Sequence, residues 1–252
     1  AKIGDTPYYS FAEAAAAANA GDEIVMLADA TVEVTQELPA GIKLTSNGHT
    51  INGSIRMLGN LELNGPLTIT GGLWVGKSGE TLTATLSGDK LTASYFMFQC
   101  GTYTINADID AVYGYLSYEG TFEVNSTIHT TGANGEVLYI NGNVTLNDGA
   151  VLDSDNSVFV NNNNAVLTLK PGSKVDSNVN ITTSGAKVNI DAYKKNRDLI
   201  FNALTDYGFD CVKPEGAFYL FVKVPEKWNN DDMAFTDHLK KFNILCAPGN
   251  GF

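Results

Sequence analysis

The sequence has 252 residues, of which 44% are apolar, so the chain is long enough for one large or two small domains with a hydrophobic core. Sixteen Lys and Arg residues against 28 Asp and Glu residues give a net charge of −12. This charge predicts that neither nucleic acid nor an anionic membrane surface is a partner. Because no apolar stretch approaches the roughly 20 residues that cross a bilayer, we expect no membrane insertion.

Residues 10 to 20 predict a short helix near the start of the chain. Ser10 with Glu13 three residues later forms a capping-box pattern, the alanines that follow favour a helix, and Gly21 is placed to end it. The next segment, GDEIVML, predicts the first strand. A helix at this position is expected to cap the open end of a stack of strands, which otherwise exposes unpaired backbone groups.

After residue 40 the chain alternates apolar and polar residues in short runs, a pattern typical of strands with one buried face. The runs recur every 19 to 23 residues, and a period in this range indicates a solenoid whose repeats bury their apolar faces against each other. The starting points of the repeats are Gly41, Asn60, Glu80, Gly101, Gly120, Gly142, Ala165 and Ala186.

One repeat contains three strand-like pieces, for example residues 121–125, 127–131 and 136–140. Three strands per coil predict a mainly β fold with three parallel sheets around one core. This layout resembles the right-handed parallel β-helix of the pectate-lyase-like superfamily. An antiparallel sandwich also suits threonine-rich alternation, but the regular period and the sparse hairpin signals favour the β-helix. Cys100 and the following inward positions are assigned to the core: Ile42, Leu44, Leu61, Leu63, Leu82, Tyr103, Ile105, Phe122, Val124, Val144, Leu146, Val166 and Leu167.

The opening run AKIGDTPYYSFAEAAAAANAGDEIVMLAD resembles the start of β-helical repeat regions in large surface proteins of gut Gram-positive bacteria. The resemblance is close over about the first 50 residues and covers the remainder up to residue 190 only as architecture. It implies an extracellular or cell-surface location and an adhesive or spacing role.

Alignment of the second strands of successive coils places Asp110, His129, Asp153 and Asp176 in one outward line, with Asp155 displaced by two positions. Such a line predicts an ion-binding or glycan-binding column, and a solvated acidic face is the alternative. No Lys or Arg is expected in the matching coils to bind an acidic sugar. We assign no catalytic residue and no metal ligand here.

The composition changes near residue 190. Residues 1–190 contain eight Lys or Arg and 19 Asp or Glu, whereas the remaining 62 residues contain eight and nine, so the density of charge nearly doubles. This change predicts two domains, 1–190 and 191–252. The three cysteines, Cys100, Cys211 and Cys246, are widely spaced and predict neither a disulfide framework nor a zinc site.

The second domain is predicted to combine helices and strands. Apolar residues at helical spacing from Leu199 to Leu204, ended by Gly208, predict one helix, and DDMAFTDHLKKF predicts another. FDCVKP, GAFYLFVKV and NILCAPG read as strands. The motifs YKKNRD, VKPEGAFYLFVKVP and APGNGF make the segment resemble the small C-terminal domain of fold-type I aminotransferases of the aspartate aminotransferase class.

This resemblance implies that the lysine and aspartate that hold pyridoxal phosphate belong to a large domain absent from the sequence. Arg197 matches a structural position of the family rather than the substrate-binding arginine, and Pro248 with Gly249 matches a segment near the active site. We therefore expect an inactive aminotransferase fragment in a chimeric chain, no cofactor, and a chain that is not an enzyme.

The sequence as a whole predicts a monomeric surface or adhesin-like β-helix module. Host or dietary glycans or surface proteins are its expected partners. The alternative function is a carbohydrate-binding or carbohydrate-active β-helix that acts on polysaccharide.

Overall fold

A computed structural model describes residues 1–117, 119–132, 135, 137–214 and 220–249, without the side chains of residues 192 and 193. The chain divides into two compact units, Ala1–Ile190 and Asp191–Phe252. The division lies at the change in charge density, and each unit is described by itself.

The first unit is a parallel β-solenoid of about eight turns, so the predicted fold class is confirmed. Its first sheet has 11 strands, which are β1 (Lys2–Ile3), β2 (Thr6–Pro7), β3 (Glu23–Val25), β6 (Ile42–Thr45), β9 (Leu61–Asn64), β12 (Leu82–Gly88), β14 (Gly101–Ile105), β16 (Thr121–Val124), β19 (Asn143–Leu146), β21 (Val166–Leu169) and β23 (Lys187–Ile190). From β3 onward the strands of this sheet are parallel, whereas β1 is antiparallel to both β2 and β3.

The second sheet has 12 strands and contains both the second and the third strand of each coil. They are β4 (Ala30–Thr31), β5 (Gln36–Leu38), β7 (Thr50–Asn52), β8 (Ile55–Met57), β10 (Leu67–Ile69), β11 (Gly72–Val75), β13 (Leu91–Phe98), β15 (Ile109–Leu116), β17 (Thr127–Thr130), β18 (Leu138–Ile140), β20 (Val151–Val160) and β22 (Lys174–Ile181).

The described strands form two sheets rather than the predicted three, because the second and third strands of several coils run together. The early coils keep them apart, as β10 and β11, but β13 pairs with both. In β15 the adjacent residues Val112 and Tyr113 are both half-buried, so the alternation of buried and exposed side chains is interrupted there. After this point the strand continues, but the other set of alternate residues faces the core. The coil therefore bends inside a continuous ladder.

The core of the solenoid is a set of columns in which one coil stacks on the next. Val124 pairs with Ile105 on one side and with Leu146 on the other, and all three side chains are buried. Tyr103 and Phe122 stack with ring centroids 5.3 Å apart. The predicted inward positions are confirmed except Leu82 and Val166, which are half-buried. Val166 and Leu167 are adjacent, and successive side chains of a strand point to opposite faces.

The repeat register departs from the sequence prediction at one coil. Leu86, not Leu82, pairs with Leu61, so Thr85 rather than Glu80 is level with Asn60. The Asn60 amide oxygen accepts a hydrogen bond from the Thr85 backbone at 2.8 Å and fixes this alignment. At the end of β12, Gly88 has φ +93°, and a Cβ there would lie 2.0 Å from the Leu63 carbonyl oxygen. Only glycine fits this close approach.

The predicted capping helix is α1 (Phe11–Ala17), which starts as expected but ends early. Ser10 Oγ accepts a hydrogen bond from the Glu13 backbone at 3.0 Å. The helix ends at Ala17, before Gly21, and the Asp22 carboxylate accepts from the Asn19 backbone at 2.7 Å in the turn that follows. Asn and Asp side chains favour such turns over continued helix.

Asparagines fix two corners of the solenoid. Asn125 donates to the Asn106 amide oxygen and accepts from Asn147, both at 2.8 Å, so the side chains form a ladder across three coils. Residues 161–164, which are all asparagines, form a turn at another corner. Cys100, which was assigned to the core, is instead half-buried at a corner, where β13 has already ended.

The second unit contains α2 (Asp191–Asp206), a short 3-10 helix (Glu226–Trp228) and α3 (Asp232–Lys240). Both predicted helices are confirmed, and the Asp231 side chain caps α3 by accepting from the Ala234 backbone at 2.9 Å. The predicted strands are reduced to one antiparallel bridge between Cys211 and Val222, and NILCAPG forms no strand. Residues 216–219 of GAFYLFVKV lie outside the described residues. Within the described ranges, no helix is long and apolar enough to span a membrane.

Candidate functional site

The predicted acidic residues lie on four neighbouring strands of the second sheet. Asp110 of β15 pairs with His129 of β17, His129 with Asp153 of β20, and Asp153 with Asp176 of β22. Parallel strands are spaced about 4.8 Å apart, so these side chains form one line along the solenoid, called here the acidic line.

Alternation within each strand turns the acidic line outward. Asp110 lies between Ile109 and Ala111, which are both buried, and His129 follows the buried Ile128. Because successive side chains of a strand point to opposite faces, each apolar residue in the core directs its polar neighbour to the surface.

Asp155 lies on the same face of β20 as Asp153, because one buried residue, Ser154, separates them. Asp153 pairs with Asp176 but Ser157 pairs with Asn178, so β20 has two residues more than β22 in this interval. His129 Nδ1 and Asp153 Oδ2 are 3.0 Å apart, and one ligand atom from each of His129, Asp153 and Asp155 lies within 4.8 Å of the others.

Lysines flank both ends of the acidic line, but each is paired with a carboxylate of the line, so the expectation that no Lys or Arg is available to bind an acidic sugar stays a prediction. Lys90 forms an ion pair with Asp110, and Lys174 Nζ lies 2.5 Å from Asp176 Oδ2. The hydrogen bond and charge of Asp176 raise the pKa of Lys174, and the charge of Asp153 adds to this effect. The sequence signal was present, because Lys174 precedes Asp176 by two residues and shares its face.

A buried polar chain lies behind the same strands. Thr130 Oγ1 donates to Ser154 Oγ at 2.9 Å, and Ser154 Oγ donates to the Ser157 carbonyl oxygen at 3.3 Å. All three residues are buried. These bonds join β17 to the bulged part of β20, which positions the backbone that carries His129, Asp153 and Asp155.

An aromatic ladder, which the sequence analysis did not identify, lies on the third-strand side of the same sheet. Its half-buried members are Trp74, Tyr95, Tyr113, Tyr115, Tyr139 and Phe159. Tyr115 and Tyr139 stack with ring centroids 4.7 Å apart, and the Arg56 guanidinium lies 5.4 Å from the Trp74 ring. Since these ring faces contact each other or a cation, the ladder mainly stabilises the sheet.

The second unit holds an apolar cavity of about 680 Å³. Residues of α2 and α3 line it, together with Cys246, Pro248 and Gly249. Arg197 lies outside this lining, where its guanidinium contacts the Asp198 carboxylate at 2.8 Å and the Pro214 carbonyl oxygen at 3.1 Å.

Comparison with known proteins finds a family match in the C-terminal part of the chain. Residues 177–252 match the family "Aminotransferase class I and II". An LL-diaminopimelate aminotransferase from Oleidesulfovibrio alaskensis is 37% identical over 62 residues, which are 25% of this chain and 16% of that protein. A probable aspartate aminotransferase from Methanocaldococcus jannaschii is 42% identical over 60 residues, 24% of this chain and 15% of that protein. The chain thus spans about one sixth of the length of these curated relatives. No solved structure gives a significant match.

These matches correct the prediction that the chain is not an enzyme, because the family and the relatives that its C-terminal part resembles are enzymes. The pectate-lyase-like and surface-protein resemblances of the first unit remain predictions. The described residues of the second unit do not fit pyridoxal phosphate. That cofactor needs a lysine in its pocket, and no lysine is among the described residues that line the cavity.

Proposed function

We propose that the β-solenoid is a ligand-binding module of a bacterial cell-surface protein that serves adhesion or display. Its proposed partners are host or dietary glycans. The chain is proposed to be a monomer that binds them through the acidic line. The observation that carries the proposal is the unbroken register of Asp110, His129, Asp153 and Asp176. It supports a row of hydrogen-bonding groups spaced about 4.8 Å apart along a rigid surface.

Three features of the acidic line suit a glycan. Carboxylates accept hydrogen bonds from sugar hydroxyls, and lysines at both ends add donors. Side chains held on strands keep their positions better than side chains on loops, which lowers the entropic cost of binding. The resemblance of the first 50 residues to bacterial surface proteins supports the proposed location.

Glycan binding is tested with the full chain on an array of plant and mucin glycans, followed by titration of each glycan that binds. We expect Asp153→Asn to weaken binding by roughly tenfold, the effect of losing about one charged hydrogen bond. Glu33→Gln removes an exposed carboxylate outside the acidic line and is expected to change nothing. Binding that is equal in wild type and Asp153→Asn contradicts the proposed site, and binding to no glycan contradicts the proposed function.

A second function, amino transfer, is proposed for the C-terminal unit on the strength of its matches. Its relatives' names point to LL-diaminopimelate or aspartate as the amino donor. Because the described residues do not fit pyridoxal phosphate, residues other than these would have to hold the cofactor. The test incubates the full chain with the cofactor, either donor and a 2-oxo acid. Chain-dependent transfer supports this function, and absence of both transfer and cofactor retention after dialysis counts against it in this chain.

A further inference from the structure

His129, Asp153 and Asp155 bring together ligand types that bind transition-metal ions. One ligand atom from each lies within 4.8 Å of the others. Imidazole with two carboxylates suits zinc and similar divalent ions, whereas calcium prefers a shell of six to eight oxygens. From these residues we propose a zinc-class metal site that bridges adjacent coils of the solenoid.

Charge at the cluster favours a cation. Among the described residues, no lysine or arginine forms an ion pair with Asp153 or Asp155, while Asp110 and Asp176 each have one. Two carboxylates held near each other repel, and a divalent ion between them removes that repulsion. The cluster thus differs from the ends of the acidic line, where lysines already balance the charge.

Strand β20 supplies two of the three ligands. Asp155 follows Asp153 by two residues, with the buried Ser154 between them, so alternation places both carboxylates on the outer face of the strand. The buried hydrogen bonds from Thr130 to Ser154 and from Ser154 to Ser157 hold the strands beneath them. Ligands thus come from two coils on a braced backbone, which limits the movement needed for binding.

The distances require only a local adjustment. Zinc bonds of about 2.0–2.2 Å place tetrahedral ligand atoms roughly 3.4 Å apart. His129 Nδ1 and Asp153 Oδ2 are already 3.0 Å apart. Asp155 is exposed, so rotation of its side chain can shorten the longer distances. Three protein ligands leave a fourth position for water or a ligand oxygen.

This site goes beyond the proposed glycan binding and does not depend on it. The test is zinc titration of the full chain, after treatment with a chelator, followed by NMR of the imidazole rings. The chain has three histidines, which are His49, His129 and His238, so each ring is resolved in one spectrum. We expect zinc to shift the His129 signals while the other two stay unchanged and report an intact fold.

His49 provides a matched control. Its Nδ1 lies 3.4 Å from Asp29 Oδ1, so it is a histidine beside one carboxylate without a third ligand. We expect Asp155→Asn to weaken zinc binding at His129 by roughly tenfold or more and His49→Gln to leave it unchanged. Calcium in excess is expected not to displace the zinc.

Three results would overturn the metal site. They are no shift of His129 at roughly 1 mM zinc, an equal response of His49, or an unchanged affinity in Asp155→Asn. Displacement of zinc by calcium would show that the imidazole does not select the metal, and would also count against the proposed class. Glycan binding is also measured in the presence of chelator. If glycans still bind there, a failed zinc test counts against the metal site alone and leaves the proposed adhesive function standing.

Discussion

The two units of the chain differ in how far they bury large apolar side chains. In the solenoid, Phe96 and Phe122 have no exposed surface, whereas in the C-terminal unit Leu199 is 67% and Leu245 is 84% exposed. Each coil of a solenoid covers the apolar face of the next, so burial grows with every repeat. The described residues of the C-terminal unit form two α-helices, a short 3-10 helix and one β-bridge, which offer far less covering surface. Stability is therefore expected to reside in the solenoid and to respond differently to mutation in each unit.

The largest expected effect comes from the core of the solenoid. Phe122→Ala removes a buried ring that stacks on Tyr103 and contacts Phe98 edge to face. Loss of burial and the cavity left behind should lower the free energy of unfolding by about 3–5 kcal/mol. Leu199→Ala in the second unit should change it by less than about 0.5 kcal/mol, because that side chain is mostly exposed.

Each unit has a tryptophan to report its unfolding by fluorescence in denaturant. Trp74 lies in the solenoid and Trp228 in the C-terminal unit. Phe122→Ala is therefore measured with Trp228 replaced by Phe, and Leu199→Ala with Trp74 replaced by Phe. If Leu199→Ala destabilised its unit as much as Phe122→Ala destabilises the solenoid, the contrast in burial would be wrong.

Tyr103 sharpens the comparison at alkaline pH. Burial raises the pKa of Tyr103 to about 12, and the charge of Cys100 adds to the shift. A raised folded pKa contributes stability that is fully present below the ordinary value near 10 and is lost as pH rises to about 12. Phenylalanine does not ionise, so Tyr103→Phe should gain roughly 2–3 kcal/mol relative to wild type over this range. Denaturant unfolding of both chains at pH 9 and pH 12 measures the gain, and parallel curves would contradict it.

The smallest effect is expected at Asp198 in the second unit. Hydrogen bonds from Lys213 and Arg197, with the charges of both, lower the pKa of this carboxyl. A lowered folded pKa contributes stability above the ordinary value and loses it as pH falls through the folded value. The group is exposed, so Asp198→Asn should lower the melting midpoint of Trp228 fluorescence only slightly at pH 7 and low salt. The difference should vanish at strongly acidic pH and shrink in high salt. A difference that persists under both conditions would contradict the ionic origin.

The acidic line could be predicted from sequence because two local rules fix it. Alternation sets which side chains point outward, and the repeat period sets which coils are neighbours. The same alternation places Asp155 on the face of Asp153, but how closely its carboxylate approaches His129 was decided by the side-chain positions in the folded structure. The flanking lysines were also missed, although the same alternation places Lys174 on the face of Asp176.

By itself, the sequence determined the repeat, the inward columns and the caps of α1 and α3, because each depends on spacing within a few residues or on a constant period. The tertiary structure alone decided the slip of β12 against β9, the merging of second and third strands and the failure of NILCAPG to form a strand. Those features depend on which backbone groups of separate coils or segments pair. Such pairing is settled by the packing of the whole unit, and short segments of sequence do not specify it.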